Sequence, residues 1–172
     1  IPDSNSVMVA ALAAAAGADV VAVRRSGDDA VALGRMLADL PPVDVVFTTG
    51  GVSAGAYEPL RQLGAGLEFC SVAMQPGKPQ ACGLVDHVPL VAFPGNPVSS
   101  FVSFQVFGRP LLDALTGARR STARGHATAL EDWRSPPGRR QYVPVVVEPG
   151  GVRPSHARGS GSHLVASLHR AE

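Results

Sequence analysis

The chain has 172 residues, 45% of them hydrophobic but only 5% aromatic, and a formal net charge of +1. That length suffices for one good core, or for one domain and a small second one, and the near-neutral charge excludes a global attraction to nucleic acid or a membrane surface. The Ala-rich stretch Ala10 to Ala16 has neither the length of a membrane helix nor the basic flank of a signal peptide, so a cytoplasmic protein without membrane or nucleic-acid partners is expected.

The chain opens on Ile1-Pro2-Asp3-Ser4-Asn5 without an initiator methionine, and a piece of a longer protein is expected. Ser4 or Asn5 can cap a helix running to Ala16, with Gly17 as its stop. The β-branched run Asp19 to Val23 reads as a buried strand. Ser26-Gly27-Asp28-Asp29 is a turn and cap for a helix carrying Val31, Leu33, Met36, Leu37 and Leu40, which Pro41-Pro42 ends. Val43 to Thr49 is a second buried strand, Gly50 to Gly55 a loop, and Glu58 to Leu63 a helix. Leu67 to Met74 reads as a strand, followed by a turn at Pro76 to Pro79. Gln80 to Leu84 and Pro89 to Phe93 read as a strand pair with Asp86-His87 as its hairpin turn. After the tight loop Pro94 to Pro97 comes the longest helix, Val98 to Leu115, with Val98, Phe101, Val102, Val106, Leu111, Leu112 and Leu115 as its candidate buried face and Pro110 as a candidate kink.

Strand and helix alternate, and the strands are nearly continuous apolar runs. This points to an α/β fold, a three-layer αβα domain around a largely parallel sheet, with its Gly-rich loops on one sheet edge. Past Thr116 the composition changes. Alternating stretches around Ala127 to Trp133 and Tyr142 to Val147, divided by Pro- and Gly-rich turns, read as a small all-β module. The boundaries expected are 1–118 and 119–172. Cys70 and Cys82 read as buried free thiols, with a single disulfide as the alternative, and no Cys/His cluster has zinc spacing.

Three loops can carry chemistry. Thr49-Gly50-Gly51-Val52-Ser53-Ala54-Gly55 follows a buried strand; its glycines permit positive φ and close backbone approach, and its hydroxyls and the next helix N-terminus favour an anion. It lacks the GxxxxGK[ST] and GxGxxG spacings of nucleotide loops. Pro76-Gly77-Lys78-Pro79 presents Lys78 from a stiff turn. Pro94-Gly95-Asn96-Pro97 opens a helix, with Asn96 as cap and Pro97 at its first position. Asp3, Asp28 and Glu58 each precede a helix, where capping and Mg²⁺ binding are both chemically reasonable. Arg139-Arg140 and the segment His156 to His163 make the small module locally basic, without the aromatic interleaving of a nucleic-acid surface.

In series, Asp3-Ser4-Asn5, Thr49 to Ser53, Pro76 to Pro79 and Pro94 to Ser99 resemble the molybdopterin molybdotransferase (MoeA) family, which includes the E domain of gephyrin. The resemblance is strong from Asp3 to Leu115 and continues more loosely at Arg139 to Val147 and Gly159 to Leu168. It implies a Mg²⁺-dependent transferase of molybdenum cofactor biosynthesis that inserts molybdate into adenylylated molybdopterin and releases AMP. It further implies a ligand site at Thr49, Gly50, Gly51, Val52, Ser53, Gly77, Pro79, Pro94, Gly95, Asn96, Ser99, Arg140 and Ser162. Asp28, Glu58 and Lys78 would be catalytic, and Asp3 and Glu58 would bind the metal. A homodimer with a shared site, a molybdopterin adenylyltransferase partner, and a first strand preceding Ile1 also follow from it, as does an incomplete C-terminal module. Many members carry Asp at the position of Ala56 and Lys at that of Gln75. The alternatives are a molybdopterin adenylyltransferase, which shares the Gly-Gly-Val-Ser loop, and a non-catalytic pterin-binding or scaffold paralogue.

Overall fold

The computed structural model describes residues 3–53, 58–63, 66–118, 125–156 and 168. Its first helix, α1 (Asn5–Ala15), is rich in alanine, the strongest helix former. Neither Ser4 nor Asn5 caps it through its side chain. The Asp3 carboxylate does, accepting the Ser6 N–H at 3.0 Å. Gly17, at φ 88°, ends the helix. Helix α2 (Ala30–Ala38) starts as expected from Asp29, whose carboxylate accepts the Val31 N–H at 2.9 Å.

Strand β1 (Val46–Thr49), the single-turn helix α3 (Pro59–Gln62), β2 (Leu67–Ser71), the two-residue β3 (Met74–Gln75), β4 (Pro79–Val85) and β5 (Val88–Phe93) follow. The four-stranded sheet has the order β1-β5-β4-β2. It is mixed rather than largely parallel: β1 runs parallel to β5, while β5 with β4 and β4 with β2 are antiparallel. The cause is local. Asp86 and His87 both take positive φ, 48° and 69°, and make the tight hairpin that β4 and β5 share.

The layering is that of an α/β domain, with apolar side chains on both sheet faces. On one face Leu33 and Leu37 of α2, Leu60 of α3 and Val52 pack on Ala81, Leu90 and Ala92. On the other, Val9 and Ala13 of α1 and the long helix's Phe104 and Leu112 pack on Phe93. Phe47 stacks on Phe93 with centroids 5.5 Å apart, and Phe104 meets both rings edge-on.

Three sequence expectations are corrected here. Asp19 to Val23 forms no strand among the described residues, and Val20, Val21 and Val23 are 37%, 53% and 56% exposed. A β-branched run becomes a strand only beside a partner, and within the described sheet β1 pairs only with β5. Cys70 and Cys82 are exposed, not buried, because the helices of their face cover β1 and β5 and leave the β2–β4 half open. The long helix is α4 (Pro97–Ser103), one π-helical turn (Phe104–Gly108) and α5 (Arg109–Thr116). The wider turn lies just ahead of Pro110, which cannot donate an N–H and would crowd the carbonyl four residues back. Leu115, expected inside, is exposed at the helix end.

The C-terminal part is thin. β6 (Arg140–Gln141) pairs in parallel with β3, and β7 (Val145–Glu148) with β8 (Gly151–Pro154) makes a hairpin. Of the stretch Ala127 to Trp133, only Ala129 forms a bridge, to Val152. Gly151 is required there, since a Cβ would stand 2.1 Å from the Thr128 carbonyl oxygen.

Candidate functional site

Because β1 and β5 are parallel, their C-terminal ends lie together, and antiparallel β4 begins at the same end. This brings all three chemically suggestive loops to one sheet edge. Gly50 and Gly51 leave β1 at φ 87° and 70°, in the left-handed region that glycine accepts without strain. The Gly50 N–H donates to the Phe93 carbonyl at 2.9 Å. Gly50 therefore offers an anion space rather than a donor. A Cβ on Gly95 would lie 3.5 Å from the Gly50 Cα, so the two loops touch. Val52, by contrast, is buried in the core beneath them.

Polar ties fix the second loop. The Asn5 amide donates to the Gly95 carbonyl at 2.7 Å, and the Ser100 hydroxyl donates to the Pro94 carbonyl. Asn96 sits at the N-cap of α4, with Pro97 following, and its carbonyl accepts the Ser100 N–H at 2.8 Å. Ser99 is only 4% exposed and lies behind the loop. Asn5 and Ser100 carry roles that motif reading did not assign. The signal for Asn5 was its spacing: it shares with Val9 and Ala13 the buried face of α1, where a polar side chain needs a partner.

The Pro76 turn is equally constrained. The Gln75–Pro76 peptide is cis and Gly77 sits at φ 102°. A Cβ there would come within 3.0 Å of Met74 Cε and Ser103 Oγ. The Gln80 amide donates to the Gly77 carbonyl at 2.7 Å and to Ser103 Oγ at 2.6 Å. The Val72 N–H donates to the Lys78 carbonyl at 2.8 Å, so the Lys78 backbone is held while its side chain is exposed. Pro79 begins β4. Beside this turn, β6 adds its strand: the Arg140 N–H donates to Ala73 at 2.9 Å and the Tyr142 N–H to Gln75 at 2.7 Å. The sequence-distant Arg140 is thereby placed next to the lysine turn, on an exposed position.

The acids divide. Glu58, at the N-cap of α3, accepts the Ser53 hydroxyl at 2.5 Å, and Arg61 Nε donates to the Ser53 carbonyl at 3.1 Å. Asp3 is committed on both oxygens, to Ser6 and, at 2.9 Å, to Arg25. Hydrogen bonding from Ser6, together with Arg25, holds the Asp3 carboxyl below the usual range, against an opposing effect of burial. Asp28 is exposed on the turn before α2. Among the described residues, no hydrogen bond or ion pair joins Asp28, Glu58 and Lys78 to one another. No three His, Cys, Asp or Glu side chains there could hold a metal ion. Asn5 Oδ1, Thr48 Oγ1 and Gln80 Oε1 are buried at this edge without protein partners. Ala54, Gly55, Ala56 and Ser162 lie outside the described residues.

A family model described as a probable molybdopterin binding domain matches residues 1–114, and one described as the MoeA C-terminal region (domain IV) matches residues 126–172. The chain is 41% identical over 177 residues to molybdopterin molybdenumtransferase 2 of Mycobacterium tuberculosis (strain ATCC 25618 / H37Rv), covering 95% of this chain and 44% of that protein. It is 34% identical over 188 residues to molybdopterin molybdenumtransferase 1 of the same strain, covering 98% and 43%. The chain thus spans less than half the length of these relatives. Among solved structures, a molybdenum cofactor biosynthesis protein from Pyrococcus furiosus superimposes with a TM-score of 0.74 at 24% identity, over 98% of this chain and 56% of that one. The molybdopterin biosynthesis moeA protein of Pyrococcus horikoshii OT3 gives 0.72 at 23%, over 99% and 40%. At these identities the structural likeness is one of fold.

Proposed function

The chain belongs to the MoeA family, and from that premise we propose that it carries the ligand-binding part of a molybdopterin molybdenumtransferase, which inserts molybdate into adenylylated molybdopterin with release of AMP. One observation carries this reading above the rest. The Gly50–Ser53 loop, the Pro94–Asn96 loop and the Pro76–Pro79 turn meet at one end of the sheet, with Arg140 of the C-terminal part brought alongside.

In this reading the positive-φ glycines let a phosphate-bearing ligand approach the β1–β5 end closely. Lys78, with its backbone fixed, and Arg140 supply positive charge to an oxyanion. Ser100 and Asn5 act from behind by holding the Pro94–Asn96 loop. The buried polar atoms of Asn5, Thr48 and Gln80 suit water or ligand groups reaching this edge.

Mg²⁺ fits as an ion that takes one or two carboxylates and completes its shell with ligand phosphates and water. Glu58 would hold it, since Ser53 occupies only one of its oxygens. Asp3 fits less well, being spent on Ser6 and Arg25. When bound, the ion would neutralise phosphate charge. Asp28, exposed on the turn before α2, belongs to the same proposal as a third acid. A homodimer with a shared site, a molybdopterin adenylyltransferase as partner and a cytoplasmic location complete it. No helix of the described residues is long and apolar enough to cross a membrane.

The test uses the full-length protein with adenylylated molybdopterin, Mg²⁺ and molybdate. Molybdate-dependent AMP release supports the reading; AMP release that ignores molybdate, or none, refutes it. Formation of the adenylylated pterin from ATP would establish the adenylyltransferase instead.

A further inference from the structure

Both cysteines of the chain lie on one face of the β2–β4 half of the sheet, at exposed positions. In the β2–β4 register, Cys70 lies opposite Gln80 and Cys82 opposite Glu68. Side chains two residues apart on one strand share a face, and so do directly opposed ones. Cys70 and Cys82 are therefore diagonal neighbours on one face, and both are exposed. The Cys70 thiol donates to the Gln80 carbonyl at 3.7 Å, so it lies over β4, toward the strand of its partner.

The diagonal spacing decides between two uses of such a pair. Diagonal positions stand about 7–8 Å apart across antiparallel strands, whereas disulfides need Cα atoms about 4.4–6.8 Å apart. A direct S–S bond would require the backbone to move. A metal ion between the sulfurs would not, since two metal–thiolate bonds of about 2.3 Å add roughly 4–5 Å to the span. A closed four-coordinate zinc site is excluded among the described residues, because no third His, Cys, Asp or Glu completes a cluster. Two thiolates with no further donor suit a soft ion that accepts linear coordination.

We propose that Cys70 and Cys82 form a surface dithiolate site for a two-coordinate soft cation of the Cu(I) class. Binding replaces two S–H bonds by two S–Cu bonds and releases two protons, leaving a bis-thiolate complex of charge −1 with no change of oxidation state.

The experiment is an anaerobic titration of the reduced full-length protein with Cu(I) held by a coloured chelator, alongside Cys70→Ser and Cys82→Ser. The expected result is withdrawal of one Cu(I) per chain with release of two protons, and loss of that uptake in either variant. Both positions are exposed, and circular dichroism of each variant checks its fold. No uptake by the parent protein, or full uptake by either variant, overturns the proposal. So does an intramolecular disulfide on mild oxidation, seen as a 2 Da lower intact mass under non-reducing conditions, because the spacing argument forbids it.

Discussion

The two ends of the four-stranded sheet are built by opposite means. Where β1 and β5 finish, the chain turns through Gly50, Gly51 and Gly95, tied by Asn5 and Ser100 and joined by the Lys78 turn. Where β5 begins, the Asp86–His87 hairpin and the Pro41–Pro42 approach to β1 form a shallow apolar groove of about 370 Å³, lined by Leu37, Leu40, Pro42, Val46 and Val88 among others. The groove has concavity but few polar groups to orient a ligand. The loop end has a cation, buried polar atoms and backbone that a phosphate can approach. Chemistry, not concavity, marks the site, and four substitutions would break or sharpen that contrast.

The largest effect is expected at the groove end. Leu37 is buried in the core, and Leu37→Ala should lower stability by about 2–5 kcal/mol, read from denaturant unfolding. AMP release per folded molecule should not change. Next is Lys78→Ala at the loop end. Its side chain is exposed, so unfolding should shift by less than about 0.5 kcal/mol, while molybdate-dependent AMP release should fall by about 10²-fold, the cost of losing one oxyanion partner.

Gly77→Ala should do both. Its φ of 102° and the 3.0 Å approach to Met74 and Ser103 put strain of about 1–3 kcal/mol into the lysine turn. Stability and AMP release are expected to fall together. The smallest effect is that of Asp3→Ala, which removes the α1 cap and costs about 0.5–2 kcal/mol. Because the folded Asp3 carboxyl titrates below its ordinary value of about 3.9, its contribution is complete above that pH. The contribution is lost as pH falls through the lower folded value. The stability gap between parent and variant should therefore close on acidification, as thermal unfolding in a pH series would read.

What the sequence made legible follows the same division. Turn chemistry is local, so the Asp86–His87 hairpin, the Gly17 stop and the Asp29 cap could be read from a few residues. The three loop motifs could be located as well, since each is short and bound to its own strand end. Facts that depend on a partner could not. Val20 to Val23 has strand composition but no neighbour to pair with among the described residues. The cysteines look buried because their strands are apolar, and only the incomplete helical cover of that face exposes them. The ion pair of Asp3 with Arg25, 22 residues away, likewise could not be read from the helix start alone. The pairing of β6 with β3, which carries Arg140 to the Lys78 turn, spans two segments with no common periodicity.

The central claim is that the ligand binds at the loop end and not in the groove. Hydrogen exchange of the full-length protein, with and without adenylylated molybdopterin, tests it most directly. Slowed exchange confined to residues 49–53, 75–80 and 94–100 is the result this account predicts. Protection of residues 37–46 and 85–88 instead would contradict it.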